Sequence, residues 1–307
     1  MNVIICGVVK NAEEHLQNNL KLAMQLGRKC DTFKIVIYEN NSTDATKQIL
    51  TNYQNNSDFK IIMEDLSPES IKNTSKIWAY TNVTGSDHPC RMEQISNARN
   101  KLIAELKQDV YESYNYVVMI DFDAKFFIPD GILNSLYLVK ENRKRVIYAN
   151  SIDYYDYYAL RSAHSSTNLF GPELAGEYFW KNMQKTRLQI NSKSTELVPV
   201  YSAFNGIGVY AKEAFTAYNY DVLITPDVKY IYEQIVLKHP TEYENLKSIL
   251  QTECFKFPGG ENTPEFYWKN NSGYNKPVIC EHVAFNFSLL KDGYEIVINP
   301  CMLYWWN

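Results

Sequence analysis

The sequence predicts an α/β fold, a mostly parallel Rossmann-like sheet flanked by helices, and two observations predict it. From residue 2 to about 150, short apolar runs rich in Val and Ile alternate with stretches of helical period, the pattern of successive βαβ units. Most of those runs are apolar without interruption, as strands covered on both faces are. After about residue 150 short strands, aromatic loops and Gly pairs replace the alternation. Residues 1–150 are therefore expected to form a ligand-binding half, and 151–307 a second half fused to the same sheet.

The elements follow in order. Residues 2–9 form a first strand, and Leu16, Leu20, Ala23 and Met24 give 11–26 a helical spacing that Gly27 ends. Residues 33–38 form a second strand, broken by Glu39-Asn40-Asn41-Ser42-Thr43-Asp44. Ser42 or Thr43 then caps a helix over 45–53, with Asp44 favoured by its dipole. A third strand over 59–63 ends at Glu64-Asp65. The polar stretch 66–90 reads as a long loop, 91–106 as a helix, 132–139 as another, and 145–149 as a further strand. Beyond 150, 198–210 reads as strand, tight turn, strand, and 278–286 as an apolar strand.

Between the last two helices of the first half, Val117-Val118-Met119-Ile120 reads as a buried strand that runs into Asp121-Phe122-Asp123. Period-two alternation would point both acids the same way, their Cα atoms about 6–7 Å apart, with Phe122 turned into the core. Two carboxylates at the C-terminal end of such a strand suit a hard cation, Mg²⁺ or Mn²⁺, at the sheet edge where open α/β folds bind ligands. His282, as a neutral imidazole, is a candidate third ligand.

Composition narrows the partners. A formal net charge of −4 with no basic cluster argues against nucleic acid. The 24 Tyr and five Trp are mostly packing residues, although aromatic faces also suit sugars. Six cysteines without a C-x-x-C pair indicate free thiols in a reducing compartment. The first apolar run is too short for a signal peptide or anchor, and the sequons at Asn40 and Asn41 fall inside the expected ligand site. A cytoplasmic protein with no transmembrane segment is expected.

Several groups beside the acids are candidates for ligand contact. Glu39 at a strand end can accept from ribose hydroxyls or a base; Val8, Lys10, Asp44 and Asp65 belong to the same expected nucleotide site. Arg91, Ile95 and Arg99 share one helix face, which lets the arginines reach a diphosphate as bidentate donors. Tyr155, Asp156 and Arg161, in a run of acids and tyrosines, can line a sugar pocket or pack a loop. Asn205 and Gly206 permit close backbone approach by a ligand, or a bulge. Glu281 is a candidate acceptor contact.

Taken in order, these stretches resemble the fungal capsule-associated α-1,3-mannosyltransferases, glycosyltransferase family 69. The resemblance is carried by Ile37-Tyr38-Glu39-Asn40 with Ser42 and Asp44-Ala45-Thr46, by Arg91-Met92 through Ala98-Arg99-Asn100, and by Tyr154-Tyr155-Asp156 with Arg161. Val198 to Ser202 with Asn205-Gly206, then Glu281 and Ile298-Asn299-Pro300, complete it. It implies a GT-A fold, a nucleoside-diphosphate sugar donor (GDP-mannose before a UDP-hexose), an oligosaccharide or glycoprotein acceptor, and transfer with retention. By position it assigns Glu39 and Asp44 to the nucleoside, Arg99 to the phosphates, and Asp121 and Asp123 to the metal. The chain departs from the family in reading Asp121-Phe122-Asp123 where the family reads Asn-Asp-Val. Glu281 and Asp156 are then the candidate catalytic carboxylates, as nucleophile in a retaining route or as base in an inverting one. Two other readings stay open. A sugar nucleotidyltransferase would want a Gly-rich phosphate loop near Lys10, and a non-catalytic carbohydrate-binding protein would not need the acids.

Overall fold

The computed structural model describes residues 1–77, 88–151, 154–185, 188–252 and 279–306. The first half follows the expected order: β1 (Asn2–Val9), α1 (Glu13–Gly27), β2 (Thr32–Asn40), α2 (Thr46–Thr51), β3 (Phe59–Glu64), α3 (Pro68–Thr74), α4 (His88–Leu106), β4 (Tyr116–Ile120), β5 (Phe126–Phe127), α5 (Pro129–Glu141) and β6 (Arg145–Asn150). The strands β3-β2-β1-β4 lie side by side and parallel. Helix α3 lies in the stretch expected to be loop. It buries no residue and rests on a cap, the Ser67 side chain accepting from the Ser70 N–H with Pro68 in the first turn. A helix made by its cap has no apolar stripe for periodicity to find.

The second half is more helical than expected: α6 (Ser166–Ala175), α7 (Glu177–Asn182), β7 (Val198–Pro199), β8 (Ile207–Ala211), α8 (Lys212–Ala217), α9 (Pro226–Lys238), α10 (Pro240–Thr252), α11 (Glu281–Lys291) and β9 (Glu295–Trp305). Over 198–210 the expected strand, turn and strand are present, but the two strands do not pair with each other. β7 pairs with β9, whereas β8 runs antiparallel between β4 and β6. The 278–286 strand is instead the start of α11, with Val278 outside the described residues. Residues 281–289 are all buried, so the helix shows no polar face, and a short buried helix cannot be told from a buried strand by pattern alone. Because β8 and β9 are both members of the sheet, the second half is woven into the first rather than appended to its edge.

β4 ends at Ile120, which places Asp121 to Asp123 in a turn beyond the strand. Phe122 is fully buried, as expected. It leans on Gly7 of β1, where a Cβ would meet Ile120 O at 2.2 Å and the Phe122 ring at 2.5 Å. Only glycine lets β1 and the acidic turn come this close. No described helix is long and apolar enough to cross a membrane.

Candidate active site

The acidic turn is fastened from three sides. The Asp121 N–H donates to Gly206 O at 2.9 Å, from the turn that enters β8. From α1, the Asn19 amide donates to Phe122 O at 2.9 Å and to Ala124 O at 2.6 Å. From β9, the Tyr304 hydroxyl donates to Asp121 O at 3.3 Å. The two carboxylates repel within this frame. Burial raises the Asp121 carboxyl, opposed by Arg99, while burial and the Asp121 charge push Asp123 up to about 7.

Arg99 on α4 is the hub. It is buried, and its two terminal nitrogens donate to different elements, one to Glu281 at the start of α11 and one to Asp121 Oδ1 at 3.2 Å. Its guanidinium lies over the rings of Phe204 and Tyr220, 5.0 and 5.5 Å from their centroids, and its Nε has no partner among the described residues. Arg91 is exposed on the same helix, and its charge is felt at both aspartates.

Asp156 completes the cluster. It accepts from the N–H groups of Asn205 at 3.2 Å and Ala159 at 3.3 Å. Burial raises its carboxyl to about 6, with the Glu281 and Asp121 charges adding to the rise. The Asn205-Gly206 turn thus holds two acids at once, Asp156 through an N–H and Asp121 through a carbonyl. Both residues are left-handed (φ 52° and 86°). At Gly206 a Cβ would strike the Tyr304 ring at 2.2 Å, so the turn admits no side chain there. Tyr155 lies nearly parallel to Tyr304 and Trp306, with centroids 6.0 and 5.4 Å apart. The outer part of this aromatic shelf is open, Trp306 being 36% exposed.

Of the residues expected to contact a nucleotide, Val8 and Glu39 lie at the tips of β1 and β2, where Val8 stands beside Tyr38 and Val9 beside Glu39. Lys10 is exposed there. Glu39 is fully buried; one carboxylate oxygen accepts from the Ser42 N–H at 2.7 Å and the other has no partner among the described residues. Asp44 is committed to the backbone, accepting from the N–H groups of Glu13 and Thr46, and Asp65 pairs with Lys47. Asp44 thus shapes the loop with both its oxygens, whereas Asp65 commits one oxygen to an exposed pair.

Two assignments need correction. Arg161 was expected at a sugar pocket, but it is wholly buried, with all five N–H donors used. They go to both Glu173 oxygens, to the Tyr232 hydroxyl, and to the carbonyls of Tyr158 and Leu160. Nothing remains for a substrate. His282 does not join the aspartates either. It is stacked on Phe204 with centroids 3.8 Å apart and meets Tyr220 edge-on. Burial, with Arg99 nearby, holds its pKa far below the usual value and keeps the ring neutral. Among the described residues no group of three His, Cys, Asp or Glu side chains is placed to hold one metal ion. Asp153, part of the same acidic and aromatic run, lies outside the described residues.

Asn19, Phe204, Tyr304 and Trp306 were not singled out in the sequence. Only Asn19 left a signal, as a polar residue inside the buried stripe of Leu16, Leu20 and Ala23.

No curated protein matches this sequence. Among solved structures, TarS of S. aureus in complex with UDP is 11% identical, at a TM-score of 0.41, over 100% of this chain and 60% of that one. The mannosyltransferase PcManGT of Pyrobaculum calidifontis, with GDP-Man and Mn²⁺, is 10% identical, at a TM-score of 0.45, over 98% and 55%. GalNAc-T7 with UDP, GalNAc and Mn²⁺ is 11% identical, at a TM-score of 0.49, over 99% and 43%. The chain spans about half the length of these solved chains, and likenesses this distant carry no functional argument. The family match is of another order: the model described as Cryptococcal mannosyltransferase 1 covers residues 3–258, which takes in β1, both nucleotide-end acids, Arg99, the acidic turn and Asp156. On that match, the chain belongs to the cryptococcal mannosyltransferase family.

Proposed function

We propose that this chain is a metal-dependent glycosyltransferase. It moves a hexose, mannose by family, from a nucleoside-diphosphate sugar to a hydroxyl of an oligosaccharide or glycoprotein. GDP-mannose is the first donor to test and a UDP-hexose the second. The reading rests on one observation above the rest: a buried arginine ties Asp121 to Glu281 while a single left-handed turn ties Asp121 to Asp156.

Asp121 and Asp123 fit a Mn²⁺ or Mg²⁺ ion. Such ions are commonly held by one or two carboxylates with substrate phosphates and water, and a divalent charge relieves the repulsion that raises Asp123. Bound there, the cation would neutralise charge developing on the departing nucleoside diphosphate. The chain's own residues divide the remaining work. Glu39, with a buried oxygen that no described residue partners, accepts from the nucleoside. Arg91, exposed on the face of α4 that carries Arg99, reaches the phosphates, and Arg99 fixes Asp121 and Glu281. Asp156, close to neutral in pKa, is the better placed of the two candidate carboxylates, because Glu281 is engaged by Arg99. It serves as nucleophile with retention, or takes the acceptor proton if the reaction inverts. Residues 1–150 hold the donor, and 151–307, with Tyr155 and Asn205-Gly206, the acceptor. The described free cysteines suit a reducing compartment such as the cytoplasm.

Nucleotide release and thermal shift across UDP- and GDP-sugars, with Mn²⁺ or EDTA, test the reading. Metal-dependent stabilisation and slow hydrolysis of one donor are expected, and Asp123→Ala abolishes transfer at any Mn²⁺ concentration. No shift with any nucleotide removes the donor site and leaves a carbohydrate-binding protein.

A further inference from the structure

We infer that Asn19 is a positioning residue for the acidic turn: its amide fixes the backbone on both sides of Asp123 and so sets the affinity of the site for a divalent cation. The inference rests on the metal reading above and adds a residue about a hundred positions away in sequence. Asn19 is fully buried in the middle of α1, where Leu16, Leu20 and Ala23 would lead one to expect another apolar side chain. Its Nδ2 spends both hydrogens on the carbonyls of Phe122 and Ala124, the two residues that flank Asp123. Together with the Asp121 N–H bound to Gly206 O, this pins the backbone of the turn before and after the second aspartate.

The other end of the amide shows what the residue is kept for. Asn19 Oδ1 is buried with no hydrogen-bond partner among the described residues, a state that lowers stability. A side chain selected for core packing alone would not carry an orphaned acceptor. This one is explained by the two donors it aims at the turn. Backbone that drifts under a metal-binding carboxylate loosens the metal, and groups that orient such ligands typically change affinity about 10–100-fold when removed.

The test is Mn²⁺ binding followed by the EPR signal of free Mn²⁺, with Mn²⁺ alone and with GDP added, on wild type, Asn19→Ala and Asn19→Asp. Both variants are expected to weaken Mn²⁺ binding about 10–100-fold while keeping a cooperative thermal transition. Asn19→Asp should be at least as weak as Asn19→Ala, because an ionised carboxylate turns acceptors toward two carbonyls. Asn19→Ser, which retains one donor, should fall between wild type and Asn19→Ala. Folded variants that bind Mn²⁺ as wild type does overturn the inference and leave the metal reading standing. A wild type that binds no Mn²⁺ under either condition removes both. Loss of fold in Asn19→Ala and Asn19→Ser alike assigns the residue to stability and overturns the inference as well.

Discussion

Two buried arginines, each beside a glutamate, are finished differently. Around Arg161 every donor has an acceptor, and the Tyr232 hydroxyl closes the ring by donating to Glu173 Oε2 at 2.6 Å. Gly171, left-handed at φ 59°, lies so close that a Cβ would meet the guanidinium at 2.4 Å. Around Arg99 the pairing is incomplete. Its Nε has no partner among the described residues, one of its carboxylates is 21% exposed, and Asp121, Asp123 and Asp156 carry raised pKa values. A closed pair of this kind holds elements together. An unfinished one, with crowded carboxylates reaching solvent, is poised to take up a charged ligand.

That contrast can be broken by mutation. The largest effect belongs to Arg161→Met, which strands Glu173 in the interior. A loss of about 3–5 kcal/mol is expected, read as a fall in the urea midpoint. Arg99→Met should instead lower transfer about 10²–10³-fold and shift the urea midpoint less than Arg161→Met does. If both variants lose stability equally, the distinction fails. Next comes Asp156, whose ordinary value of 3.8 is raised to about 6. The folded form binds this proton more tightly than the unfolded chain, so its contribution to stability falls as pH rises from about 4 through 6. In the role proposed for Asp156 the ionised form is the active one, and kcat/KM should therefore drop as pH is lowered through about 6. A profile flat from pH 5 to 8 would take Asp156 out of the chemistry. The smallest effect is expected at the aromatic shelf. Trp306→Ala should raise the acceptor KM about threefold to tenfold, as loss of one stacking face does, and leave donor hydrolysis unchanged.

The same two regions mark how far the sequence can be read. The strands of the first half were legible because they are continuous apolar runs, and the acids were legible as residues ending such a run. Their setting was not. Asp121 and Asp123 sit past the strand, and what orients them comes from Asn19, Gly206 and Tyr304, partners far away along the chain. Arg99 stands out by the helix face it shares with Arg91, and Arg161 by the acids and tyrosines around it, and neither signal tells a site arginine from a structural one. Only a donor count in three dimensions separates them. Helix α11 reads as an apolar strand because it is buried all round, which puts His282 in a strand, whereas it lies in an aromatic stack. Asn19 could have been found by asking why a buried stripe contains an amide.

The insertion of β8 between β4 and β6 has a consequence for biogenesis. A nascent chain released as far as residue 150 has made β4 and β6 but not the strand that joins them, so both carry bare hydrogen-bonding edges until residues 207–211 emerge. Exposed apolar edges of this kind recruit other chains. Truncation after β6 should therefore yield insoluble material rather than a minimal nucleotide-binding fragment, and prematurely terminated chains should be substrates for quality control.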